Sequence, residues 1–187
     1  MRRVALAVSS GMAAVAFAAL AASTATAGKS ACSRYGDTSP AILSRGEAAK
    51  SIRCLINRRR GQHDLRRLDA DDRLDRAAQR HTRFMRRHGC FSHRCQGEPS
   101  LRRRLERVHY IEPGLRSWSY GENIAWGSRG LGTPKQIVSA WMHSPGHRHN
   151  ILDRSFRDVG VGFVRGTPSN PNANGGIYTT DFGLRVE

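Results

Sequence analysis

The sequence predicts an α+β fold in which one small sheet is packed between helices. Three observations lead there. The segment Asp71–His88 places Leu74, Ala77, Ala78, His81, Phe84, Met85 and His88 on one stripe of helical period, with arginines elsewhere. Near the other end, Val159–Val164 reads V-G-V-G-F-V, the alternation of a buried strand. The helical patterns come first and the clearest strands last, without internal repeats.

The chain opens on Arg2 and Arg3, followed by small and apolar residues from Val4 to Ala22 and then Ala25-Thr26-Ala27. That order predicts a signal peptide over residues 1–27, cleaved after Ala27, and therefore a secreted protein. A retained anchor is the rival reading, but the segment is poor in Leu, Ile and Phe, and a cleavage site follows it. No later stretch is apolar enough to span a bilayer. Residues 28–45 read as a polar N-terminal extension and 46–187 as a single domain.

Within that domain, Ile52, Leu55 and Ile56 predict a helix over Ala48–Arg60, ended by Gly61. Asp71 and Asp72 suit the start of the next helix, and Gly89 its end. Ser100 caps a third, short helix with Leu101, Leu105 and Val108 at helical spacing. Glu112–Tyr120 reads as loop. Thr133 and Pro134 begin a fourth helix, in which Ile137, Val138 and Trp141 face inward, and Ser144-Pro145-Gly146 stops it. Thr167–Gly176 is a surface loop rich in Pro, Asn and Gly, and Ile177–Phe182 is a final strand.

The formal net charge is +16, almost all of it arginine, since Lys29, Lys50 and Lys135 are the three lysines. Such a surface is either a solvated face or a means of attraction to an anionic component of the cell envelope. Nucleic acid is disfavoured as a partner: export argues against it, and zinc-finger spacing, stacking platforms and heptad-linked basic regions are absent from the sequence. The four cysteines, Cys32, Cys54, Cys90 and Cys95, are an even set that favours two disulfides in an exported chain. Three pairings are open. Proximity along the chain favours Cys90 with Cys95 and Cys32 with Cys54.

Phe91-Ser92-His93, then Gly121-Glu122-Asn123-Ile124-Ala125-Trp126-Gly127, then Trp141–Leu152 with its S-P-G-H-R-H-N-I-L run, then Val159-Gly160-Val161-Gly162 and Thr180-Asp181-Phe182-Gly183 occur in that order. Together they resemble the bacterial SCP-like branch of the CAP superfamily, the cysteine-rich secretory, antigen 5 and pathogenesis-related 1 proteins. The resemblance covers about Ala48 to Gly183. It implies an α-β-α sandwich with a small antiparallel sheet, a CAP domain over 46–187, and a surface cleft that often carries two histidines and two glutamates. By motif, His93 and His147 match the histidines and Glu122 one glutamate. The second glutamate position falls on Ser144, so one carboxylate of the tetrad is missing.

Two imidazoles and a carboxylate suit Zn2+ or another divalent cation. Either His93, His147 and Glu122 all ligate, or the histidines ligate and Glu122 orients one of them through its ring N–H. The blander alternative is that the three residues satisfy one another and pin the loops. Glu122 is the candidate catalytic residue, as a general base toward water. The segments H-E-x-x-H and G-x-S-x-G are absent. The sequence therefore favours a non-catalytic secreted module binding an extracellular ligand, with a metal-assisted hydrolase of peptide or wall polymer as the alternative. His81 reads as a packed, hydrogen-bonded residue, Trp126 and Trp141 as core anchors or, alternatively, as lining of the cleft, His143 and His149 as candidate accessory ligands flanking His147, and Arg148 and Asn150 as loop braces.

Overall fold

The computed structural model describes residues 30–187, so the segment read as a signal peptide lies outside the described residues. Among the described residues no helix is long and apolar enough to cross a membrane. Six α-helices and four strands among the described residues, with a 3-10 turn at Arg129–Gly132, run in the order α1 (Ala31–Tyr35), α2 (Arg45–Gly61), β1 (Asp69–Ala70), α3 (Asp72–His88), α4 (Leu101–Glu106), β2 (Ser117–Ser128), α5 (Pro134–His143), α6 (Pro145–Leu152), β3 (Asp158–Arg165) and β4 (Gly175–Val186). The sheet order is β1-β3-β4-β2. β4 pairs antiparallel with both β2 and β3, while the two residues of β1 run parallel to β3.

Strand alternation sends side chains to two layers. Val159, Val161, Phe163, Tyr178 and Phe182 point into the main core against α2, α5 and α6, with Ile52, Ile56, Trp141 and Ile151. The opposite face receives α3. There Gly160 and Gly162 leave room for the helix: a Cβ at Gly160 would collide with the Leu74 backbone, and one at Gly162 with the Ala78 carbonyl. Gly162→Ala should therefore lower stability by about 2–3 kcal/mol in urea unfolding. A cost below about 0.5 kcal/mol would mean that α3 does not rest on the sheet as described.

The helix ends follow local chemistry. Ser44 and Glu47 form a capping box at α2. Asp71 accepts from the Arg73 and Leu74 amides at α3, which ends at Gly89 with φ 62°. Side chains of α3 also serve as the outer partner of β3 beyond the short β1. Asp75 accepts from the Val161 amide at 2.6 Å, and Gln79 exchanges two 3.0 Å hydrogen bonds with Phe163. Arg60, fully buried, donates to Ile151 and Asp153 carbonyls at 2.8 Å and so ties α2 to the end of α6.

The disulfides are Cys32–Cys54 and Cys90–Cys95. The first fastens α1 to α2, so the N-terminal extension contains a helical turn docked on the core rather than only polar coil. Three other readings need correction. Residues 117–120, read as loop, begin β2, because their register against Gly183–Val186 of β4 supplies backbone partners. Pro145-Gly146 does end α5, but Pro145 also opens α6, where its missing N–H and fixed φ suit the first turn. Trp126 is 46% exposed and is no core anchor, whereas Trp141 is 1% exposed.

Candidate functional site

The site straddles the edge strand β2. On the α3 side of the sheet, the inward position Glu122 lies directly opposite Asp181 of β4. Its Oε1 meets His93 Nδ1 at 2.8 Å, and its Oε2 accepts from Arg104 Nη2 at 2.9 Å. His93 sits in the loop closed by Cys90–Cys95, and its side chain is 57% exposed. Its carbonyl also accepts from Arg104 at 3.1 Å. One guanidinium from α4 thus fixes both the carboxylate and the loop that carries the histidine.

Behind Glu122 the network continues into the core. His81 of α3 is fully buried, with Nδ1 2.8 and 2.9 Å from the two carboxylate oxygens of Glu98 and Nε2 3.7 Å from Glu122 Oε2. His81 is therefore packed and hydrogen-bonded, in a cluster of charges rather than an apolar stripe. Asp181 is wholly buried, and neither of its oxygens has a hydrogen-bond partner. Burial, followed by the Glu122 charge, pushes its carboxyl well above the usual range. Burial would also raise Glu122, but the His93 hydrogen bond and the Arg104 charge outweigh it and hold Glu122 below the usual range.

On the other side of β2, Ser144 ends α5 and starts α6, and its Oγ lies 2.9 Å from His147 Nδ1. Asn123 donates to the His147 carbonyl at 3.0 Å. Asn150 donates to the Glu122 carbonyl at 3.1 Å and to Asn123 Oδ1 at 2.9 Å, the bracing role read for it in the sequence. Trp141 Nε1 donates to the Ile124 carbonyl at 3.1 Å. These bonds hold α6, and with it His147, against the outer rim of β2. Burial, with a contribution from the nearby His93 charge, depresses the His147 pKa, favouring its neutral form.

The structure thus brings His93 and Glu122 into contact, and His147 and Ser144 into contact, on either side of one strand. His143 bonds back to the Ser139 carbonyl, and His149 faces Asp153 at 3.9 Å, so both are engaged locally. Among the described residues no three His, Cys, Asp or Glu side chains gather as a metal cluster. The donors that fit a cation are two imidazoles. His93 Nδ1 donates to the ionised Glu122, which leaves the lone pair on its Nε2; the Ser144 hydroxyl can either accept from His147 Nδ1 or donate to it. Arg104, Glu98 and Asp181 were not singled out as site residues in the sequence. Asp181 carried a weak signal: it is the one carboxylate in a strand, β4, that is buried along most of its length.

Residues 54–179 match the model of the CAP family, the cysteine-rich secretory protein family. The chain belongs to this family. Among curated proteins, this CAP domain is 32% identical over 133 residues to the uncharacterized protein YkwD of Bacillus subtilis, a match covering 71% of this chain and 46% of YkwD. A membrane protein of the same bacterium, YlbC, is 33% identical, over 62% of this chain and 31% of its own length. The chain thus spans less than half the length of either relative. An extracellular SCP-domain protein from Bacillus anthracis is similar in structure, with TM-score 0.59, 28% identity, and coverage of 74% of this chain and 40% of that one. An outer surface protein of Borrelia burgdorferi shares the CAP fold, with TM-score 0.61, 20% identity, and coverage of 76% of this chain and 96% of that one.

Proposed function

We propose that this CAP domain is a secreted, non-catalytic binding module. Its cleft of His93, Glu122, Ser144 and His147 holds a divalent metal such as zinc and engages an extracellular ligand, and its arginine surface retains it at an anionic envelope. The observation that carries the reading is the matched tethering of the two imidazoles. His93 Nδ1 is bound by Glu122 and His147 Nδ1 by Ser144, which orients both rings; on His93 this leaves Nε2 as the donor atom, and on His147 it does so when Ser144 accepts. The neutral form favoured for His147 is the form that ligates.

Glu122 supports the non-catalytic reading. A general base must be free to take a proton from water. Here one oxygen is held by His93 and the other by Arg104, and these partners stabilise the ionised form. The carboxylate is thereby suited to aligning His93 rather than to proton transfer.

Calorimetric titration of the purified protein with zinc tests the reading. Saturable binding near one equivalent is expected, and loss of that binding in a folded His93→Ala/His147→Ala variant. Binding that persists unchanged in the variant, or no binding by the parent, would leave the histidines a structural role.

A further inference from the structure

Residues 72–107 contain eleven arginines against four carboxylates. They lie on α3, α4 and the segment between, on the sheet face opposite α2. The outer face of α3 presents Arg76, Arg80, Arg83 and Arg87 in steps of four, three and four residues, all exposed. Helical spacing makes this a stripe about 16 Å long.

Two depressions flank the segment 97–107, one bordered by that segment and Arg94 alone, the other lying between it and α3. The larger, about 770 Å³, is lined by Arg94, Arg103 and Arg107, and the smaller, about 280 Å³, by Arg80 and Arg107. They adjoin along Gly97, Glu98, Pro99 and Arg107, which line both, and together are taken as one groove. The carboxylates along it are already engaged. Glu98 is buried against His81 and Arg104, while Glu106 pairs with Arg102 at 2.9 Å. Arg80, Arg94 and Arg107 make no ion pair with any described residue within 4.0 Å, and Arg103 reaches Glu106 only at 3.9 Å.

We propose that this groove binds a phosphodiester polymer of the cell envelope, with the phosphates lying along Arg80, Arg107, Arg103 and Arg94. The proposal rests on the envelope-retention reading above and gives that retention a site and a ligand chemistry. Guanidinium forks match phosphate oxygens in pairs. The charges come from α3, α4 and the chain on either side of α4, spread out rather than converging on one point, which suits a repeating anion better than a single one. The surface is concave, which suits a threaded chain better than a flat bilayer. The groove lining carries no exposed aromatic: Phe84 is half-buried and stacked on His88, the apolar stripe of α3 faces the core, and the exposed Phe91 is not part of the lining.

Linear inorganic polyphosphate serves as the probe, titrated into the purified protein at several salt concentrations. Arg80→Gln/Arg107→Gln removes two groove charges. Arg45→Gln/Arg58→Gln removes two exposed charges on α2, across the sheet. The groove variant should lose roughly tenfold in affinity at 0.1 M salt and lower the salt dependence by about two powers of concentration, while the α2 variant stays within about twofold of the parent. Equal losses in both variants would mean diffuse attraction and overturn the groove. Unchanged binding in the groove variant would overturn it as well. So would a parent protein that binds anionic phosphatidylglycerol vesicles through Arg80 and Arg107 but not polyphosphate. Retention is read separately, by release of the native protein from cells with added salt: salt-independent retention would sink that reading and leave the groove result standing.

Discussion

Arg104→Met is expected to destabilise the protein by about 3–5 kcal/mol, because it strands two buried carboxylates without their shared cation. Arg104 is 6% exposed and lies 2.9 Å from Glu122 and 4.0 Å from Glu98. Methionine matches much of the volume, so the cost comes from the orphaned charges rather than from a cavity. The double variant Arg104→Met/Glu122→Gln should recover a substantial part of the loss, since it removes one of those charges. Urea unfolding of the parent, the single and the double variants measures both quantities. A loss below about 1 kcal/mol, or no recovery in the double variant, would show that the guanidinium is not what balances the site.

The second large effect concerns Asp181 and pH. Its folded-state pKa is raised, chiefly by burial and then by the Glu122 charge. The folded protein therefore holds a proton that the unfolded chain releases near pH ~4. Between those two pKa values the folded state binds more protons, so this residue's contribution to stability falls as pH rises. Each pH unit within that window removes about 1.4 kcal/mol. Asp181→Asn copies the neutral shape and does not titrate. Its stability relative to the parent should climb as pH rises above about 4, whatever fixed penalty its amide carries. Parallel stability curves for the two proteins across that range would show that Asp181 is ionised in the fold.

These two residues also mark where the sequence stopped being legible. The α3 stripe was readable because its apolar side chains recur within one helix and Asp71 and Gly89 bound it. The disulfide partners are 22 and 5 residues apart, so proximity along the chain was informative. His93, Glu122 and His147 stood out through their motifs. Arg104, Glu98 and Asp181 meet only because α4 and β4 pack around α3, and nothing local to each announces that contact. The first four residues of β2 were hidden for a related reason: they become strand through pairing with the far end of the chain. Pro145 was read correctly as ending α5, but the helix it opens was missed, because a proline that ends one helix and one that begins the next look alike in sequence.

The side chains that position the cleft also close the sheet. An unpaired strand rim offers amide and carbonyl groups on which another chain can add, the usual seed of aggregation. On the β2 rim, the Glu122 and Ile124 carbonyls are taken by Asn150 and Trp141. On the β3 rim, Val161 and Phe163 are taken by Asp75 and Gln79, and the remaining strand, β1, is two residues long. The sheet therefore presents little template for a second molecule. On the β2 side, the hydrogen bonds that seat α6, and His147 with it, are thus also ones that cover the rim against a second copy of the chain.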